Sequence, residues 1–549
     1  MKKITRVLAF ILSCGLVLAS CSSNTPDNTS TEGDANAPVV EASADDITVT
    51  ADAGTSKLSP DNPHTFDVFF NFTWYPINKW EGIIPEEITT RTGITLNPTV
   101  AVDVQQLGVM IASGDLPDLI ATDGMLSNLS TSELSYDWGG LIEQYGIDWD
   151  IPQVNKANAL SFTQEEGKFF TLLSHFASTE DWVELTRYNV GAAMTGSLIY
   201  RYDLLQEMGL SEPQTMDEVK AMLIKAAETY PDKIALAFDS NSWDFTYFRE
   251  NLDMGQTECN YVEDADGNWV PYAMHPNFMT YIKLLNDIYK AGGISTDNWA
   301  TDGTTTEALV QAGGAFAWSQ CTQGGAMDAT AALKETVPTA IFHEAPVVGD
   351  PSGYYNTSIG WMGTFISKNC DDPQLALEYL KFLHSDEGAK LTQWGREGVD
   401  YTVDANGVPT FSDEWSEATL NGTMDEKYNT WFYFGGSKIL EAIARCAAYP
   451  TEMIPNYPAL RENFGNKPWI RYAEPVDGTD EKVIYDKLFL RPNGHYRTYE
   501  MKIITSANDD ELQKNYDEML SVAKSLGEET ITAYMDKAIK EAMVVYGEK

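Results

Sequence analysis

The run FDVFFNF at Phe66–Phe72, followed by ITLNPTVAV at Ile94–Val102 and LPDLIA at Leu116–Ala121, decides the fold. FDVFFNF is almost continuously apolar, the pattern of a strand buried on both faces of a mostly parallel sheet. It runs into Thr73-Trp74-Tyr75-Pro76, which reads as a loop. ITLNPTVAV reads as a second strand, Gln105–Ala112 as a short helix stopped at Gly114, and LPDLIA as a third strand. Strand, helix, strand predicts an α/β unit, because parallel neighbours need a crossover connection.

Helix signals extend that reading along the chain. Thr215 and Glu218 have the spacing of a capping box, ahead of Val219, Met222, Leu223 and Ala226 on one helical face. Asp372 is placed to cap a helix with Pro373 at its first position, and Ala376, Tyr379, Leu380 and Leu383 form its stripe. Both stripes need a sheet to pack on. No repeat of 20 to 50 residues is present.

Upstream of the first strand the text changes character. Residues 1–20, MKKITRVLAFILSCGLVLAS, join a basic start to an apolar run too short to span a membrane, as in a secretory leader. The leader ends in Leu18-Ala19-Ser20-Cys21, which resembles the bacterial lipobox; cleavage there leaves Cys21 first, its thiol carrying a diacylglycerol. A leader with a chance cysteine is the alternative. Residues 21–64 contain no aromatic residue and no basic one before Lys57, so they read as an acidic, disordered tether with a reach of roughly 36 Å.

Composition narrows the function. With 81 Asp and Glu against 37 Lys and Arg, the formal charge is −44, which repels phosphate backbones and argues against nucleic acid as a partner. Beyond Cys14 and Cys21, the cysteines are Cys259, Cys321, Cys370 and Cys446, without any C-x-x-C; buried thiols and disulfides both fit that spacing. Motifs for nucleophile elbows, P-loops, H-E-x-x-H zinc sites and dinucleotide loops are absent from the sequence. Asp264-Ala265-Asp266-Gly267-Asn268 has the oxygen-rich look of a calcium loop. An EF-hand register, however, would put Val262 and Ala273 at ligand positions, so a hairpin turn is the better reading. No cofactor or metal is expected, and no enzyme activity.

Several segments, in order, resemble extracellular solute-binding proteins of ABC importers, the carbohydrate-type group that includes maltose-binding protein. Ser113-Gly114-Asp115-Leu116-Pro117-Asp118-Leu119 matches one family step. Leu198 to Leu205, with Gly209, Leu210, Pro213 and Thr215 to Glu218, matches a second. LLNDIYKAGGI at Leu284–Ile294, QAGGAFAW at Gln311–Trp318 and IGWMGTFIS at Ile359–Ser367 follow. Gly395-Arg396-Glu397-Gly398-Val399-Asp400-Tyr401 resembles the signature of a longer, LplA-like lipoprotein subgroup.

The resemblance implies a two-lobed, type II periplasmic-binding-protein-like fold with a hinge and an interlobe ligand cleft. The expected limits are 65–190 plus 340–430 for lobe 1, and 191–339 plus 431–549 for lobe 2. It further implies a monomer, anchored by lipid on the outer side of the cell membrane, that delivers an oligosaccharide to ABC permease subunits. A peptide or cationic solute is the alternative ligand, and a secreted carbohydrate-active enzyme a more distant reading. Ligands of open α/β sheets lie beyond the carboxyl ends of the strands. That rule selects Trp74 and Tyr75, Asp123, Trp318 after an expected strand at Gly314–Ala317, and Trp361. By family position Trp243 joins them, and Trp394 and Arg396 flank the subgroup signature. Trp138, Trp149, Trp182, Trp299 and Trp415 are expected to be structural, and Arg201 and Asp203 to support the segment linking the lobes.

Overall fold

A computed structural model describes residues 55–75, 78–103, 105–163, 165–184, 197–239, 245–255, 259–320, 325–346, 348, 355–405, 407–430, 434–448, 465–476, 478–490 and 493–548. Contacts divide the chain into Met1–Thr50 and Ala51–Lys549, and every described residue lies in the second unit. The leader, Cys21, Trp182 as a side chain, Trp243 and Cys321 therefore lie outside the described residues.

Two four-stranded sheets form the framework. The first runs β11-β3-β1-β2, from β1 (His64–Phe70), β2 (Ile94–Val100), β3 (Leu119–Thr122) and β11 (Gly363–Ile366). β1 is parallel to β2 and β3, with Val68 opposite both Pro98 and Leu119, while β11 returns antiparallel to β3. The FDVFFNF run is continuous because both faces are covered. Phe66, Val68 and Phe70 pack with Trp138, Tyr379 and Leu380 on one side. Phe69, Ile120 and Phe365 pack with Leu107 and Phe170 on the other. Each such side chain contributes about 1.5–3 kcal/mol by leaving water. The crossover helix is Gln106–Ser113, ended by Gly114 at φ 73°.

The second sheet runs β5-β8-β4-β9, from β4 (Ser197–Arg201), β5 (Ile234–Ala237), β8 (Ala315–Gln320) and β9 (Phe342–Glu344). β5 and β8 are parallel, and β4 is antiparallel to β8 and β9. The capping box of Thr215 and Glu218 is present, and the helix it starts, Met216–Thr229, buries Val219, Met222, Leu223 and Ala226 as the periodicity requires. Asp372 caps Pro373–Leu383 through the Leu375 N–H.

The C-terminal helices His495–Ile504, Asp509–Ser525 and Glu528–Val545 join the core of the second sheet through Ile503, Met519, Ile531 and Ile539. The helix Lys438–Ala448, in contrast, packs on Asp386–Trp394 and Asp413–Leu420 of the first lobe. Elements of the first sheet's side thus include residues beyond 430, and β9 carries the second sheet to Glu344.

Two expectations are corrected here. The tether ends earlier than His64: Ser56 Oγ and the N–H groups of Lys57 and Leu58 all donate to one carboxylate oxygen of Glu378, at 2.8, 2.7 and 3.0 Å. A polar segment is ordered because a buried acceptor collects its donors. The strand expected at Gly314–Ala317 runs on to Gln320, which puts Trp318 inside β8 rather than after it. The Asp264–Asn268 loop is a hairpin turn between β6 (Tyr261–Glu263) and β7 (Trp269–Pro271), with Asp264 Oδ1 accepting the N–H of Asp266 and of Asn268 at 2.9 and 2.8 Å. The subgroup signature leads into a second hairpin, β12 (Tyr401–Val403) and β13 (Pro409–Phe411).

The crossing segments meet at β10 (Tyr355–Asn356), which pairs in parallel with β14 (Gly465–Asn466). Asn466 joins three of them with one side chain: its Nδ2 donates to Ala177 O at 2.7 Å and Ser358 O at 2.8 Å. Its backbone N–H donates to Thr179 Oγ1 at 3.0 Å.

Candidate functional site

Trp74 and Trp361 stand together at the carboxyl end of β1. A turn closed by Tyr75 N–H to Phe72 O, 3.1 Å, follows the strand and leaves Trp74 52% exposed. It is the one aromatic side chain among the exposed large hydrophobic residues described. The two indoles lie 6.1 Å apart, centre to centre, and both contact the buried ring of Phe72 at 5.3 Å. Tyr75 is buried instead, stacked on Phe70 at 4.3 Å, so it supports the turn from beneath.

Trp361 is held by a short antiparallel ladder. Its N–H donates to Ser174 O at 3.1 Å, and Ser174 N–H donates to Met362 O at 2.9 Å. Gly360, at φ +98°, makes that approach possible: a Cβ there would meet Leu173 Cβ at 2.5 Å. His175 follows at φ 58°, with its ring 5.9 Å from Trp361 and its Nε2 3.9 Å from Glu441. Gly436 accepts the His175 N–H at 2.6 Å, and a Cβ on Gly436 would sit 2.3 Å from the imidazole.

Glu441 opens onto a cavity of about 250 Å³ lined by Gln393, Trp415 and Thr430 of the first lobe and by Met327 and Asp328 of the second. Side-chain contacts thus link Trp74 through Trp361 and the buried His175 to Glu441, which lines a pocket walled by both lobes.

Asp123 leaves β3 at the same sheet edge, since its neighbour Thr122 pairs with Gly363. Asn71 fixes that corner, its Nδ2 donating to Thr122 Oγ1 at 3.0 Å. Asp123 is exposed, and partial desolvation by the neighbouring protein raises its pKa. Flat apolar faces beside a few hydroxyls and carboxylates suit a ligand with C–H faces and a polar rim.

The family model for "Bacterial extracellular solute-binding protein" matches residues 76–390. The chain belongs to this family. Among curated proteins, none matches it. Solved structures with the same fold include an HMO-binding, ABC-transporter-associated solute-binding protein from Bifidobacterium longum infantis, with 16% identity and a TM-score of 0.59, covering 89% of this chain and 100% of that one. The Streptococcus pneumoniae ABC-transporter substrate-binding protein FusA, in complex with kestose, has 14% identity and a TM-score of 0.59, covering 88% and 100%. The alginate-binding protein AlgQ2 without calcium ion has 17% identity and a TM-score of 0.58, covering 88% and 100%. At these identities the likeness establishes the two-lobed fold. No helix among the described residues is long and apolar enough to cross a membrane.

Of the other residues expected at the site of this solute-binding protein, two tryptophans are buried and the arginine is paired. Trp318 is 7% exposed and packs with Ile199, Ala237 and Phe342. Trp394 is 1% exposed, and its indole N–H donates to Leu440 O at 2.8 Å. Neither offers a ring face to a ligand in this conformation. Arg396 is committed to Asp400, with Nε and Nη2 at 2.8 and 3.1 Å from its two carboxylate oxygens, which locks the signature turn. Arg201 and Asp203 form an equally close pair, at 2.7 and 2.6 Å.

Sequence reasoning did not single out His175, Glu441 or Asn466, whereas Trp415, expected to be structural, is 2% exposed in the first-lobe core. The Gly360-Trp361 and Gly435-Gly436 pairs were the available signal, since both permit backbone approach at the crossing.

Proposed function

We propose that this protein is a lipid-anchored solute receptor that captures an oligosaccharide between its lobes and delivers it to an ABC permease. The observation that carries the reading is the pairing of exposed Trp74 with half-buried Trp361 at the strand-end edge of the first sheet, linked by side-chain contacts to Glu441 in a pocket lined by both lobes. A sugar ring laid on these indoles keeps its hydroxyls free for Asp123 and the polar pocket wall. Contacts from both lobes favour the closed state, and closure is what a permease reads. Structural relatives that bind kestose or HMO support a sugar ligand. The Leu18-Ala19-Ser20-Cys21 boundary supports the anchor.

The acidic lining of the pocket, Asp328, Asp425 and Glu441, favours a basic peptide or amine-bearing solute as the second reading. Calorimetric titration with neutral oligosaccharides and with basic peptides separates the two. Recovery of the bound sugar unchanged tests the receptor role against turnover. Retention of the wild-type protein by membranes and its release by Cys21→Ala tests the anchor.

A further inference from the structure

His175 stands where three separate stretches of chain meet. Its own stretch leaves the first lobe after the helix Gln153–Leu160 and goes on to the second sheet at β4. Trp361 lies on the stretch that returns ahead of β11. Gly436 lies just before Lys438–Ala448, the last described helix before the chain reaches β14.

The imidazole is held from four directions. Its Nδ1 lies 3.1 Å from Ser174 Oγ, and its ring centre lies 5.9 Å from that of Trp361. Gly436 closes the third side: it accepts the His175 N–H at 2.6 Å, and a Cβ on it would lie 2.3, 2.9 and 2.9 Å from Cε1, Nδ1 and Nε2. On the fourth side Nε2 faces Glu441 Oε2 at 3.9 Å, and that oxygen accepts from Lys438 Nζ at 3.0 Å. The residue is 7% exposed. A ring so enclosed passes a displacement on to its neighbours, because packed interiors have low compressibility and transmit strain.

The backbone points to the side chain as the reason for the arrangement. At φ 58° His175 occupies the left-handed region, which glycine enters without steric cost. A residue with a Cβ persists there only where its surroundings over-determine it, and such positions cluster at ligand clamps and switch regions. Glycine would serve the turn as well; the ring is what glycine would not supply. What the ring touches on two sides is the candidate site itself, since Trp361 is half of the aromatic platform and Glu441 lines the pocket together with Asp328 of the second lobe.

We propose that His175 is a positioning residue that couples the platform to the pocket: it sets Trp361 against Glu441, so that a ligand stacking on the indoles shifts a carboxylate in the pocket walled by both lobes and thereby biases closure. The ligand half of this coupling rests on the receptor reading above, whereas the mechanical half does not.

The test uses the full chain labelled with 5-fluorotryptophan, the Trp361 fluorine resonance being assigned by its loss in Trp361→Phe. Without any ligand, Glu441→Gln is expected to shift that resonance when His175 is present. The shift is expected to vanish in His175→Gly and His175→Asn, which suit the left-handed turn but lack the ring. Titration with neutral oligosaccharides of one to five sugar units is expected to show about 10-fold weaker binding in both His175 variants, with cooperative unfolding kept. A Trp361 resonance that responds to Glu441→Gln equally with and without the ring, or in neither case, overturns the proposal, as does sugar affinity unchanged in both variants. If no sugar binds the wild-type protein, the sugar-receptor reading fails and the fluorine spectra alone decide the coupling. Should neither His175 variant fold, Gly436→Ala decides, because its methyl group presses first on the imidazole: a moved Trp361 resonance is expected, and an unmoved one overturns the proposal.

Discussion

The indole of Trp74 lies 6.1 Å from that of Trp361, yet the two belong to chain segments that enter the first lobe from opposite ends of its sheet. Trp74 follows β1, which comes in from the N-terminus, and Trp361 precedes β11, which returns from the second lobe. The pair therefore exists only when the return segment is seated. This couples the aromatic platform to the crossing that relates the lobes.

Their burial separates their roles. Trp74→Ala removes a ring that is 52% exposed and is expected to change unfolding free energy by less than about 1 kcal/mol. Trp361→Ala leaves a gap against Phe72 and His175 and is expected to cost about 2–4 kcal/mol. Urea unfolding of both variants checks the contrast.

Asn466 is the fastener of the crossing. Asn466→Ala strands the carbonyls of Ala177 and Ser358, each now accepting from the same amide, and is expected to cost about 2–4 kcal/mol. Because these carbonyls belong to different crossing segments, ligand affinity is expected to fall as well. Thermal unfolding and ligand titration of the variant measure the two effects.

Arg396 pairs with Asp400, which is 1% exposed, so Arg396→Ala leaves a buried carboxylate without its guanidinium. A stability loss of about 3–5 kcal/mol is expected, with ligand affinity in the surviving folded protein within about twofold of wild type. A much larger loss of affinity at unchanged stability would return Arg396 to the ligand site.

His384 gives stability a defined pH dependence. Burial lowers its pKa to about 4, beside Trp138 and Trp149, and its Nε2 is without a partner. The unfolded chain, with an ordinary histidine near 6.5, binds the proton first on acidification. Stability is therefore full above that value and falls between about pH 6.5 and pH 4, by at most about 3 kcal/mol. His384→Phe is expected to flatten the curve in that window, as read by unfolding at pH 7 and pH 4.5.

The framework was legible in the sequence because each signal was local. FDVFFNF could satisfy its apolar run only between two layers, and Thr215 with Glu218 could start a helix unaided. The crossing and the pocket were not legible, since they depend on contacts hundreds of residues apart, such as Asn466 with Ala177. Tryptophan as a residue type marked Trp74 and Trp361 but equally marked Trp318 and Trp394, whose rings fill the interior. Nothing in a linear text distinguishes a ring that faces a cleft from one that fills a core. The same holds for Arg396, whose partner four residues away was written in the signature itself.

The central claim is that an oligosaccharide binds across the Trp74–Trp361 platform. The direct measurement is calorimetric titration of a neutral oligosaccharide series, from one to five sugar units, into wild-type protein and into Trp74→Ala. Affinity is expected to rise with length in the wild type, reaching micromolar or tighter, and to fall at least 30-fold, about 2 kcal/mol, in the variant. Binding of basic peptides but of no sugar, or sugar affinity unchanged by Trp74→Ala, would contradict it.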